Sequence, residues 1–272
     1  MSRRRFAQVD VFGAAALQGN PVAVVLDGDG LSDASRADFS RWTNLSETTF
    51  VSSPTRGGSY AVRIRTVTEE LPFAGHSTLG TAHAWAEATG FTGDTIVQEC
   101  AAGLVTLRRI DGNLHFAAPP LIKSGELDDA TLEAICNALH LTRDEVVAHA
   151  WTDNGPGWAT LQLKAAARVL EMKLPRECSV PFIGLVGLHD DGTPELRAFC
   201  LDMGVEDPVT GSLNCAVAQW LIGRGIVSAP YTARQGRSIG FDGRISIVQD
   251  DDGKVWCGGA TRTIIRGETV DL

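Results

Sequence analysis

Glu70-Leu71-Pro72-Phe73-Ala74-Gly75-His76 and Glu206-Asp207-Pro208-Val209-Thr210-Gly211-Ser212 match at Glu, Pro and Gly in one register. The offset is 136 residues, half of the 272-residue chain. Each segment runs on into a stretch rich in small residues, Gly80, Ala82 and Ala84 in one case, Ala216 and Ala218 in the other. Short matches recur by chance. An equal offset at three positions, in the same strand–turn–helix context, reads as an internal duplication. The expected fold is then α+β, with two similar halves related by a pseudo-twofold axis and two Pro-x-x-Gly helix starts facing each other.

A helix N-terminus offers unpaired N–H groups and about half a positive charge. Two such starts are suited to hold a carboxylate, because local fields rather than net charge decide where an anion binds. Short polar residues flank both: His76 and Ser77 at the first, Thr210 and Ser212 at the second. Spacing alone leaves a plainer reading open, in which Ser212 caps its helix and His76 bonds a backbone carbonyl. Glu47, in Asn44-Leu45-Ser46-Glu47-Thr48-Thr49-Phe50, stands between a predicted helix end and an apolar strand. A carboxyl partly buried there would have a pKa raised toward neutrality, as a proton shuttle needs. The competing reading is an exposed glutamate at a strand start.

Composition narrows the class. The chain is 44% apolar and 21% charged, enough to bury a core and unlike a disordered segment. A net charge of −9, with one basic cluster at Arg3-Arg4-Arg5, argues against nucleic acid as a partner. No uninterrupted apolar run of membrane-spanning length occurs, and the stretch after Arg5 is too polar for a signal peptide. A cytoplasmic protein with no membrane partner is expected. The six cysteines form no CxxC and read as reduced core thiols, and the six histidines include no HxxxH. His76 and His83 share a helix face, but two ligands do not make a metal site, so no metal is expected. Gly75-His76-Ser77-Thr78-Leu79-Gly80 is one residue too long for a nucleophile elbow. No GxGxxG or GxxxxGK[ST] offers a nucleotide site.

Along the chain, Phe6–Phe12 and Pro21–Leu26 read as strands around a Gly19-Asn20-Pro21 turn. A helix starts at Ser32, and strands follow at Thr48–Ser52 and Tyr60–Val67. Gly75–Thr89 reads as a helix stopped by Gly90. Strands near 95–99, 103–109 and 113–118 include a hairpin at Asp111-Gly112. Pro119-Pro120 is the candidate boundary. Beyond it come a helix near 127–139, another opened by a Thr142…Glu145 capping box, strands near 158–162, 181–187 and 195–201, and a helix at Gly211–Gly223.

Taken together, Gly19-Asn20-Pro21-Val22-Ala23-Val24-Val25-Leu26, Asn44-Leu45-Ser46-Glu47-Thr48, Gly75-His76-Ser77-Thr78-Leu79-Gly80, Glu206–Ser212 and Gln235-Gly236-Arg237 resemble the phenazine-biosynthesis PhzF-like family. That family belongs to the diaminopimelate epimerase-like superfamily. The resemblance covers essentially the whole chain and implies two half-barrel domains, each wrapped round a central helix. They divide here as 1–118 and 119–272, with a final strand near 262–272 a candidate to return to the first. It implies Glu47 as acid/base, with His76, Asp207 and Ser212 lining the site and Gly75, His76, Ser77, Gly211 and Ser212 binding the substrate carboxylate. It also implies isomerase chemistry in secondary (antibiotic-type) metabolism, a small anionic substrate, no cofactor and a homodimer.

Epimerases of that superfamily carry a cysteine just before each of the two helix-start glycines. Ala74 and Thr210 occupy those positions here, and Cys215 is out of register. A one-base proton and double-bond shift in a small unsaturated cyclic (amino) carboxylic acid is therefore expected. An epimerase, racemase or dehydratase of an amino or imino acid is the alternative enzyme. A non-enzymatic interaction protein retaining the fold is the alternative outside catalysis.

Overall fold

A computed structural model describes residues 3–270 and 272. The chain divides into two compact units, one running to Ala117 and including Gly258–Leu272, the other Ala118–Cys257. Among the described residues no helix is long and apolar enough to cross a membrane.

The first unit runs β1 (Arg3–Val11), β2 (Asn20–Val25), α1 (Asp33–Thr43), β3 (Glu47–Ser52), β4 (Tyr60–Arg65), β5 (Glu70–Leu71), α2 (Gly75–Thr89), β6 (Thr95–Cys100), β7 (Gly103–Ile110) and β8 (Asn113–Ala117). The second holds α3 (Asp129–Leu139), β9 (Val146–Trp151), β10 (Ala159–Leu163), α4 (Ala166–Glu171), β11 (Phe182–Leu188), β12 (Pro194–Cys200), β13 (Val205–Asp207), α5 (Gly211–Gly223), β14 (Tyr231–Gln235) and β15 (Gly243–Gln249). β16 (Val255–Gly259) leads back, and β17 (Thr261–Val270) pairs antiparallel with β1.

Pairing in the two units follows one plan. β1–β2 is antiparallel, β2–β3 parallel, β3–β4 and β4–β5 antiparallel, β4–β6 parallel and β6–β7 antiparallel. In the same succession β9–β10 is antiparallel, β10–β11 parallel, β11–β12 and β12–β13 antiparallel, β12–β14 parallel and β14–β15 antiparallel. The strands of the first unit curve round α2, which packs on β1, β2, β3, β6, β8 and β17. A helix covered on nearly all sides must be apolar or small all round, and Gly75 to Ala82 are all buried. At Gly80 a Cβ would lie 2.3 Å from Val22 Cγ1, so only glycine lets α2 sit this close to β2. Gly90 ends the helix at φ 69°, the left-handed cap. In the second unit β11 is a continuous apolar run, buried on both faces. Ile183 and Leu185 join the core formed with α3 and α4, while Gly184 abuts Leu213 of α5.

Both central helices have the expected bounds, and several details differ. Gly19-Asn20-Pro21 opens β2 rather than forming the turn, which is a longer loop tied by Asp10: its buried Oδ1 accepts Gly19 N–H at 2.8 Å. The Thr142…Glu145 capping box does form, with Thr142 N–H donating to Glu145 Oε2 at 2.7 Å, but it heads a single 3₁₀ turn. The chain then enters β9, where a helix was expected. β9 and the six-residue α4 have no counterpart in the sequence reading.

Each echoed glutamate is one end of an ion pair. On β4, Arg63 donates from Nε to Glu70 Oε1 at 2.8 Å and from its terminal nitrogen to the other oxygen. On β12, Arg197 grips Glu206 in the same fork at 2.9 and 2.6 Å. Arg63 also reaches Asp33 at the start of α1, and Arg197 reaches the carbonyls of Val169, Leu170 and Met172 at the end of α4. The second clasp is buried, with side chains 5% and 4% exposed, whereas the first is 37% and 28% exposed. Breaking a buried pair strands a charge and costs about 3–5 kcal/mol; an exposed pair contributes about 1 kcal/mol or less. Urea unfolding should therefore show a much larger loss for Arg197→Ala than for Arg63→Ala. Equal losses would refute this ranking.

Candidate active site

In the first unit, α1 ends on Asn44 in the left-handed conformation (φ 53°), and three residues later the chain enters β3 at Glu47. β3 lies parallel to β2, with Glu47 opposite Val22. On the other side α2 begins at Gly75, so that His76 and Ser77 stand in its first turn. Glu47 Oε2 and His76 Nε2 are 3.0 Å apart, with the side chains 15% and 6% exposed. Burial lifts the Glu47 pKa to about 7, against a smaller opposite pull from the Ser46 and Ser77 hydroxyls. A carboxyl with that pKa exchanges its proton freely near neutral pH. Ala74 precedes the helix in extended conformation and offers no side-chain cap. The N-cap side chain thus takes none of the backbone donors of the first turn.

The second unit builds the equivalent helix start differently. Asp207 ends β13, and its Oδ2 accepts from the Thr210 hydroxyl at 2.5 Å. Buried Gln235 fastens this turn: Nε2 donates to Asp207 O and Thr210 Oγ1, both at 2.9 Å, and Oε1 accepts Thr210 N–H at 3.1 Å. Asn214 donates to the same Oε1 at 2.8 Å. Thr210 is the residue before the helix, yet its hydroxyl is turned to Asp207 and caps nothing. Ser212 is not a cap either. It stands within the first turn, and its Oγ accepts from Trp158 Nε1 at 3.0 Å.

Strand register identifies which residue of the second unit corresponds to Glu47. Arg63 lies opposite Phe50 on β3, and Arg197 opposite Leu185 on β11. Counting three residues back along each strand reaches Glu47 in one unit and Phe182 in the other. Phe182 packs edge-to-face on Trp158, with ring centroids 5.5 Å apart. One unit therefore places a titratable carboxyl at this strand start and its repeat an aromatic ring.

The structure thus brings Glu47, His76 and Ser77 together in one unit, and Asp207, Thr210, Gly211 and Ser212 in the other. His83, on α2 with His76, is engaged by Thr261 at 3.0 Å. Sequence reasoning missed Trp158 and Asp10, and quoted Gln235 only as part of a motif. The signal for Asp10 was an acidic residue inside an apolar strand, directly before a loop whose backbone needs an acceptor.

The sequence profile of the phenazine biosynthesis-like protein family matches residues 9–271. The chain is 33% identical to antisense-enhancing sequence 1 of Schizosaccharomyces pombe, over 99% of both chains. It is 44% identical over 112 residues to trans-2,3-dihydro-3-hydroxyanthranilate isomerase of Pseudomonas aeruginosa, 40% of either chain. A solved structure described as a predicted epimerase from Pseudomonas aeruginosa superposes with a TM-score of 0.83 at 26% identity, covering 99% of this chain and 100% of its own.

The raised pKa has a signed consequence for stability. Folded Glu47 keeps its proton to about pH 7, whereas an unfolded glutamate releases it near 4.5. Stability from this group is complete below the lower value and is lost as pH rises through the upper one. Glu47→Gln should therefore flatten the pH dependence of the urea midpoint between about pH 5 and about 7.5. A variant with the wild-type slope would mean that the folded carboxyl is already ionised.

Proposed function

The chain belongs to the phenazine biosynthesis-like protein family, which includes enzymes named isomerases, and from that premise we propose a one-base proton shift. The substrate is a small unsaturated cyclic amino carboxylic acid. Glu47 takes a proton from a conjugated C–H and returns it further along the same face, giving the allylic isomer. Each helix start, Gly75–Ser77 in the first unit and Gly211–Ser212 in the second, is suited to take a carboxylate and to stabilise charge that spreads into it as a proton leaves. His76 sets the protons around Glu47, and Asp207 is suited to bond a substrate amine or hydroxyl. A shift of this kind is redox-neutral and needs only a proton carrier.

The observation that carries the reading is the Glu47 carboxyl of pKa about 7, beside the His76 imidazole at 3.0 Å. A two-base inversion needs a second acid/base, and Phe182 at the equivalent strand start is not one. Ala74 and Thr210 bring no thiol to either helix start. The relative named as a dihydro-hydroxyanthranilate isomerase suggests the substrate type. Epimerisation is the second reading, since a structural relative is described as an epimerase.

Positioned acid–base catalysis supplies about 10²–10⁴ in rate, so Glu47→Gln should lose at least that factor and remain folded. The assay is proton NMR in D2O with trans-2,3-dihydro-3-hydroxyanthranilate and a panel of unsaturated cyclic amino acids. Deuterium at a ring carbon with a moved double bond is the expected result. Exchange confined to the alpha carbon, with inversion, transfers the assignment to epimerisation. Full activity in Glu47→Gln overturns the role given to this residue.

A further inference from the structure

A serine hydroxyl has one proton to give and two lone pairs to receive. In the second unit Trp158 Nε1 donates to Ser212 Oγ at 3.0 Å, and among the described residues this indole is the hydroxyl's one hydrogen-bond partner. An indole N–H is a donor with no acceptor, so Ser212 cannot turn its own proton toward Trp158. The pair is held firmly. Trp158 is 2% exposed, and Phe182 packs against it edge-to-face at 74°. Asn154 Nδ2 secures the Ser212 carbonyl at 2.9 Å. The other hydroxyl at this helix start, on Thr210, is committed to Asp207 and Gln235.

We propose that Trp158 is a positioning residue: by donating to one lone pair of the Ser212 hydroxyl, it turns that hydroxyl's proton away from itself and outward, to a carboxylate oxygen of the substrate. The inference rests on the reading of Gly211 and Ser212 as carboxylate-binding residues. It deepens that reading by explaining the aromatic pair. Where the first unit uses its strand start for a proton carrier, the second uses it to fix the polarity of a hydroxyl. The first turn of α5 then aims the Ser212 proton outward beside the backbone donors, an arrangement that favours an anionic oxygen.

Binding of anthranilate, an aromatic amino carboxylate that cannot be isomerised, tests this without requiring turnover. By calorimetry, Trp158→Phe and Ser212→Ala should each weaken anthranilate about tenfold, and the double variant should lose no more than either single one. Additive losses, or wild-type affinity in Trp158→Phe, would overturn the proposal. In protein carrying ¹⁵N-tryptophan, the Trp158 indole signal, identified by its loss in Trp158→Phe, should move on anthranilate addition. It should stay still in Ser212→Ala, which keeps the indole and so guards against a folding defect in the first variant. An indole that responds equally in both proteins would count against the proposal. Wild-type protein that shows the coupling but isomerises no dihydro-hydroxyanthranilate refutes the substrate reading and leaves this inference standing. Wild-type protein that does not bind anthranilate refutes the carboxylate site and the inference together.

Discussion

Everything at the two helix starts hangs on a forked arginine–glutamate contact. β5 has two residues and β13 three, too few for a ladder of backbone bonds to hold them in place. Arg63 and Arg197 supply what the ladders lack, each by two parallel N–H to oxygen bonds of fixed geometry. Because Arg63 also reaches the start of α1 and Arg197 the end of α4, the short strand is fixed to both sheet and helix. The chain then passes a proline and begins its central helix at a determined place and angle. An uncapped helix start is of use to a ligand only where its direction is constant, and the clasps provide that constancy.

Upon this shared framework the two units have diverged at one strand start in particular. The order and direction of strand pairing are the same, and so is the clasp. At the start of the third strand in one, burial has been spent on keeping a carboxyl protonated near neutrality. At the start of its repeat, the same burial holds Phe182 against Trp158. A duplicated fold supplies two equivalent positions, and here their occupants are unlike, one titratable and one aromatic.

The echoed segments made the architecture readable because they combine a clasp residue, a proline and a helix-start glycine, each demanded by backbone geometry. Their arginine partners went unseen for a geometric reason. The hairpin between β12 and β13 is two residues longer than that between β4 and β5, so Arg63 and Arg197 fall out of the register their glutamates share. Glu47 was legible from its place between a helix end and an apolar strand. Trp158 was not, since a lone tryptophan gives no sign that its N–H, rather than its ring, is the functional part. Val146–Trp151 lacks a decisive period, and α4 is too short for one to develop. There local preference was silent and pairing with β10 decided the structure.

The pairing of β17 with β1 bears on how this protein is made. The first unit is not contiguous in the chain: β17, which pairs with β1, is synthesised only after all of Ala118–Cys257. While the ribosome works through the second unit, which has its own core, β1 waits with one edge bare. Arg3-Arg4-Arg5 stands along that strand, and three adjacent like charges discourage pairing with another nascent chain. The basic cluster thus acts as a guard on an edge that stays open until β17 has been made.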